Sequence, residues 1–141
     1  MSDLIEDIKL NISELDIKIS EYMLTFKQED FFTFSNRNER KDEYEKEYFS
    51  FILDIKNIMD ELTKNALSIS ERLLDADRNG DVEKIEFYNK IFEGYLSFRN
   101  VISEYNTLAE NELSKDVPSV SLLFTATKKL KMACSMFLSV L

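Results

Sequence analysis

The sequence predicts an all-α protein, an elongated antiparallel bundle of about four helices that forms a single domain over residues 1–141. The chain has only two glycines and one proline in 141 residues, so it contains few of the residues that turns require. Its apolar residues recur at intervals of three and four over long stretches, which is the period of a helix with one buried face. The polar breaks between these stretches are short, and short connections place consecutive helices antiparallel.

The first helix is predicted over about residues 3–28. Its main apolar stripe alternates steps of three and four and comprises Ile5, Ile8, Ile12, Leu15, Ile19, Tyr22 and Phe26. A second apolar set, Leu10, Ile17 and Leu24, recurs every seven residues on the opposite side. A surface helix normally carries one apolar stripe. We therefore expect the second stripe to be covered, by the bundle or by a partner chain, and we predict self-association through it.

The remaining helices are predicted over about 39–74, 82–113 and 118–141. Pro118 suits the first turn of the fourth helix, and Gly94 within the third indicates a close approach by a neighbouring backbone. The apolar chain end at 132–141 is expected in the bundle or in an oligomer interface. The aromatic group in the break before the second helix fits under the bundle end or anchors a partner, and it comprises Phe31, Phe32 and Phe34.

The charge of the chain indicates which partners it can attract. The formal net charge is -9 and the isoelectric point is about 4.6, whereas nucleic-acid binding relies on clustered Lys and Arg. We therefore expect no nucleic-acid ligand, and a protein partner with a basic surface instead. The acidic opening of the chain does not resemble a signal peptide, and no apolar run approaches the roughly 20 residues of a membrane span. These features predict a cytoplasmic protein without a membrane-spanning segment.

Several residues that enzymes use are missing from the sequence. The chain has no histidine and a single cysteine, Cys134, so it lacks the commonest general base, the usual catalytic triads and the usual zinc sites. Two glycines are too few for a glycine-rich phosphate loop. We therefore expect no catalytic activity and no cofactor other than, at most, a calcium ion.

One short acidic stretch, residues 75–86, carries a recognisable ligand pattern. It reads Asp-Ala-Asp-Arg-Asn-Gly-Asp-Val-Glu-Lys-Ile-Glu and resembles the calcium loop of the EF-hand family, with Gly80 at the sharp turn and Val82 at the apolar position. The resemblance implies oxygen ligands for Ca²⁺ at six loop positions. Those positions hold Asp75, Asp77, Asn79, Asp81, Glu83 and Glu86.

A plain turn between two antiparallel helices requires many of the same residues. Gly80 would supply the left-handed conformation that ends a helix, and Asp81 would cap the next helix. The sequence therefore supports two hypotheses. In the first, the chain is an acidic helical interaction protein, such as a secretion chaperone, an antitoxin or immunity factor, or an inhibitor. In the second, it is a calcium-binding protein.

Overall fold

The four predicted helices are present, and the all-α prediction is confirmed. The computed structural model describes residues 2–26 and 37–141, apart from the side chains of Ser2, Arg37 and Asn38. The aromatic residues Phe31, Phe32 and Phe34 lie outside the described residues. The four helices are α1 (Ser2–Met23), α2 (Arg37–Arg78), α3 (Val82–Leu113) and α4 (Val120–Leu138).

The helices form a closed ring of four neighbours. α1 packs against α2 and α4, and α3 packs against the same two helices. The helix pairs run antiparallel: along α1, Asn11 lies opposite Asn65 and Lys18 opposite Asp54. The 42 residues of α2 span about 63 Å at about 1.5 Å per residue, so this helix gives the bundle its long dimension.

The main stripe of α1 fills the centre of the bundle, as its spacing predicts. Six of its seven residues are at most 8% exposed and Ile5 is partly buried against them. Alternating steps of three and four hold these side chains on one side of the helix, where α2 and α4 both pack against them. This burial of large aliphatic and aromatic groups is the main source of stability for the bundle.

Most predicted helix ends differ from the structure by one to five residues; α2 begins at Arg37 rather than 39, and α4 ends at Leu138 rather than 141. α1 ends at Met23, short of 28, because residues 24–26 form tighter hydrogen bonds that span three residues and the Thr25 hydroxyl donates to the Tyr22 carbonyl at 2.7 Å. α2 continues to Arg78, beyond 74. α4 begins at Val120 because Ser119 is its N-cap, accepting the Leu122 N–H at 3.2 Å.

Each of the four helix interfaces contains at least one polar contact between side chains. Polar contacts of this kind fix the register of helices that apolar packing alone would leave free to slide. The contacts are Asn65 Nδ2 to Asn11 Oδ1 at 2.7 Å, Thr63 Oγ1 to Tyr95 Oη at 2.8 Å, Tyr105 Oη to Thr127 Oγ1 at 3.0 Å and Lys131 Nζ to Asp16 Oδ1 at 3.1 Å.

The apolar end of the chain packs back onto the bundle. Phe137 is 3% exposed, and Val140 and Leu141 are partly buried against the core. Gly94 of α3 is the point of contact, since a Cβ placed there would lie 3.3 Å from both Phe137 and Val140. The close approach predicted at Gly94 is therefore present, made by side chains of α4 and the following residues rather than by a backbone.

Candidate functional site

The predicted calcium loop is folded as a tight turn between α2 and α3. The Asp81 N–H donates to the Ala76 carbonyl at 3.0 Å and the Gly80 N–H donates to the Asp77 carbonyl at 3.2 Å. This bond pair is a Schellman motif, and Gly80 takes the left-handed conformation that the motif requires, with φ of +65°. Asp81 is also the N-cap of α3, since its carboxylate accepts the Lys84 N–H at 3.3 Å.

The turn brings only some of the predicted ligands together. Asp75, Asn79 and Asp81 line one cleft of about 240 Å³. Asp77 belongs to the last turn of α2, and residues two apart in a helix are rotated by about 200°, so Asp75 and Asp77 point in opposite directions. Glu83 and Glu86 lie exposed in the first turns of α3, outside this cleft.

The charges at the turn are already neutralised in part by cations. Arg78 lies 3.7 Å from Asp75, and Lys84 lies 3.9 Å from Asp81. Within residues 2–26 and 37–141, no group of three or more acidic, cysteine or histidine side chains is arranged to hold a metal ion. Binding of calcium by all six predicted ligands would require the last turn of α2 to unwind, and the calcium site stays a prediction.

The second apolar stripe of α1 is exposed in the single chain. Leu10, Ile17 and Leu24 are 57%, 56% and 77% exposed. The bundle therefore leaves uncovered the stripe that we expected a bundle or a partner to cover. Leu10 lines a cleft between α1 and α2. Residues seven apart on a helix differ in direction by about 20° around its axis. Ile17 and Leu24 therefore lie progressively nearer to α4 than Leu10 does.

An acidic groove runs along the boundary between α1 and α2, and the sequence analysis missed it. Two clefts of about 290 and 160 Å³ follow one another along this boundary. Three carboxylates on each helix line them, at intervals of seven residues in both cases. The carboxylates are Asp7, Glu14 and Glu21 on α1, and Glu47, Asp54 and Glu61 on α2.

The floor of the acidic groove combines apolar and amide groups. Tyr22 and Phe51 stack in parallel with ring centres 4.1 Å apart, and both line the second cleft. Asn11, Asn65 and Leu10 line the first. Among the residues that the structure describes, Lys18 is the one basic residue that lines either cleft, and it lies 3.8 Å from Asp54. The groove therefore has a floor of largely buried aromatic and amide side chains between two rows of negative charge.

A chain of hydroxyl groups lies beneath the groove. The Thr127 hydroxyl donates to the Leu123 carbonyl at 2.8 Å, so Tyr105 donates to Thr127, and Tyr22 is hydrogen-bonded to Tyr105 in turn. Burial raises the pKa of Tyr105 to about 12. Burial also raises the pKa of Tyr22, and repulsion between the ionised forms of Tyr22 and Tyr105 raises it in the same direction. These hydroxyls are neutral at neutral pH and serve as hydrogen-bonding groups of the core.

The single thiol is part of the core as well. Cys134 is fully buried, and this burial raises its pKa to about 12. Since the thiolate is the reactive form of cysteine, the side chain behaves at neutral pH as a small apolar group. No helix within the described residues is long and apolar enough to cross a membrane.

Compared with protein-family models, with curated proteins and with solved structures, the chain matches none of them.

Proposed function

We propose that the chain is a non-catalytic acidic helical module that binds a protein partner with a basic surface. Its biological role would be that of a chaperone, an antitoxin or immunity factor, or an inhibitor-like adaptor. The observation that carries the proposal is the acidic groove, in which six carboxylates and one lysine line the boundary between α1 and α2.

The dimensions of the groove favour a helical segment of the partner. The carboxylates on α1 extend from Asp7 to Glu21, which is about 21 Å along the helix axis at about 1.5 Å per residue. A partner helix of about four turns has that length. An apolar side chain of this helix would contact Leu10, and lysines or arginines on both flanks would meet the two rows of carboxylates.

Charge complementarity determines which partners the groove selects. The carboxylates lie at the edges of the groove and remain accessible to water, so each contact with a cation contributes only a few tenths of a kcal/mol to about 1 kcal/mol. The rows raise the association rate and exclude acidic partners. They also repel a phosphate backbone, so the proposed partner is a protein and not a nucleic acid.

The test uses a defined cationic amphipathic peptide, with leucines on one face and lysines on both flanks, in a calorimetric titration. The triple variant Glu14→Gln, Asp54→Asn and Glu61→Gln should weaken binding roughly tenfold at moderate salt, since about three exposed ion pairs are lost. The matched control removes three charges at the distant turn and should bind like the unaltered chain. That control carries Asp77→Asn, Glu83→Gln and Glu86→Gln. Equal loss in both variants, or no binding of the peptide, would contradict the proposal.

Calcium binding at the α2–α3 turn is the second candidate function. The observation in its favour is that Asp75, Asn79 and Asp81 share one cleft. The same cleft is lined by Arg72 and Lys84, whose positive charges oppose a cation. A calcium ion at this turn would stabilise the helix pair and leave the acidic groove unchanged.

A further inference from the structure

The fourth helix has a charge opposite to that of the rest of the chain. α4 contains three lysines and no acidic residue, whereas α1 contains six acidic residues and two lysines. Lys128 and Lys129 are both exposed. Met132 and Met136 on the outer side of the same helix are 59% and 70% exposed. α4 therefore presents an outer surface that is both apolar and basic.

Four exposed apolar residues of α1 and α4 share one face of the bundle. Lys131 of α4 bonds to Asp16 and Ser20 of α1, at 3.1 and 2.6 Å, and the rings of Phe26 and Phe124 lie edge to face with centres 6.3 Å apart. These contacts place Ile17 at the same height along the bundle axis as Met132, and Leu24 at the same height as Phe124. We call the exposed set Ile17, Leu24, Phe124 and Met132 the α1–α4 face.

The charges around the α1–α4 face distinguish it from the acidic groove. Asp16 on its inner edge is paired with Lys131, while the carboxylates of α1 that line the acidic groove lie on the side of the helix nearest α2. Two copies of a chain with net charge -9 repel each other over most of their surfaces. This repulsion is weakest where an apolar surface carries lysines.

We propose that the α1–α4 face is covered by a second copy of this chain, with α1 of each copy packed on α4 of the other. A two-fold axis parallel to the helices produces this arrangement and gives a closed, isologous dimer. It opposes the acidic helix of one copy to the basic helix of the other. The alternative, α1 against α1, would bring the acidic flanks together and is disfavoured by like-charge repulsion.

The levels of the residues define the contacts in this dimer. An axis parallel to the helices preserves the height of each residue, so Ile17 of one copy meets Met132 of the other. Glu21 of one copy then lies level with Lys129 of the other, on the flank of the apolar contact. The dimer shares Glu21 with the end of the acidic groove, and its tests are separate from the test of the partner proposed for that groove.

The first test measures mass by light scattering and sedimentation over a wide range of concentrations. We expect a species of twice the 16.6 kDa chain mass. Reversal of charge on α4, by Lys128→Glu with Lys129→Glu, should weaken the dimer at least about a hundredfold, because like charges across an interface cost several kcal/mol. The matched control, Lys56→Glu with Lys64→Glu on the exposed surface of α2, should remain dimeric. A mass of one chain at every concentration, or an unaffected α4 variant, would overturn the proposal.

The second test identifies which helices meet. One preparation carries Ile17→Cys and another carries Met132→Cys, both at exposed positions, and the native Cys134 is too buried to react. Under mild oxidation, the mixture should give a cross-linked dimer containing one chain of each kind, and neither preparation alone should give it in comparable yield. Cross-linking of the Ile17→Cys chain with itself would show α1 against α1 and refute the proposed arrangement, as would a dimer that does not cross-link in the mixture.

Discussion

Glu112, at the end of α3, is the buried carboxylate on which the connection to α4 depends. It is 4% exposed. Its Oε1 accepts the Ser119 N–H at 2.7 Å, and its Oε2 accepts a bond from Lys115 Nζ at 2.8 Å. Because Ser119 is the N-cap of α4, this one side chain joins the end of α3 to the start of α4. Replacement of Glu112 by alanine removes both bonds and leaves the Ser119 N–H without its partner.

The loss in free energy of unfolding that Glu112→Ala should cause follows from these two hydrogen bonds. A hydrogen bond to a charged group contributes about 1.5–3 kcal/mol. The Lys115 contact contributes less than about 1 kcal/mol, because the lysine side chain is 56% exposed and screened by water. We therefore expect Glu112→Ala to lower the free energy of unfolding by about 2–3 kcal/mol in urea titrations at neutral pH. Glu112→Gln keeps an acceptor for Ser119 and should cost about 1 kcal/mol.

The pH dependence of stability tests the same assignment. The bond from Lys115, followed by that from Ser119, lowers the pKa of Glu112 below its ordinary value. A carboxyl whose pKa is lower in the folded state stabilises the fold above its unfolded pKa of about 4.3 and loses that contribution as the pH falls. The gap between the unaltered chain and Glu112→Gln should therefore be constant near neutral pH and narrow below about pH 5. An alanine variant that costs less than about 0.5 kcal/mol, or one equal to the exposed control Glu104→Gln, would refute the reasoning.

Three further predictions concern the turn and the core. Gly80→Ala should lower the free energy of unfolding by about 1 kcal/mol, because a φ of +65° strains the backbone of any residue with a Cβ. Nothing lies within 4 Å of the new methyl group, so no clash adds to this cost. An unchanged free energy of unfolding in urea titrations would contradict this backbone strain. If the α2–α3 turn holds calcium, titration of metal-stripped protein with calcium should raise the melting temperature, and the rise should disappear in Glu86→Gln; no rise would leave a capped helix turn. Tyr105→Phe should cost at least about 1 kcal/mol by removing the bonds of this hydroxyl to Thr127 and Tyr22, and an unchanged unfolding midpoint would show that these bonds contribute nothing.

The helices could be predicted from the sequence because each is determined by the spacing of apolar residues that lie close together in the chain. The apolar spacing of α1 identifies six of its core residues, although Leu4 rather than Ile5 is the buried residue at its start. α3 begins at Val82 and ends at Leu113, the bounds that the sequence predicts. The errors fall at helix ends, where a single hydrogen bond decides the last turn. Ser119 starts α4 after Pro118, and Gly80 rather than the acidic run at Asp75 ends the second helix.

The acidic groove could not be predicted from the sequence, because it depends on contacts between residues far apart in the chain. Glu14 and Glu61 are far apart in the chain, and each alone has the pattern of a solvated helix surface. They become one feature only when the antiparallel register of α1 and α2 is known, and that register depends on contacts such as Asn11 with Asn65. A search for carboxylates at intervals of seven on two consecutive helices would have identified the two rows, but not that they face each other.

The two proposed surfaces also explain why one helix can carry apolar residues on both sides. α1 buries its main stripe in the bundle, presents carboxylates beside Leu10 to the acidic groove, and turns Ile17 and Leu24 toward α4. Residues seven apart differ in direction by about 20° around the helix axis, so Leu10 and Leu24 differ by about 40°. The apolar residues of this one heptad row therefore lie on two different faces of the bundle. If the dimer forms through α4, the groove beside α2 remains open in both copies, and each dimer offers two equivalent grooves to a basic partner.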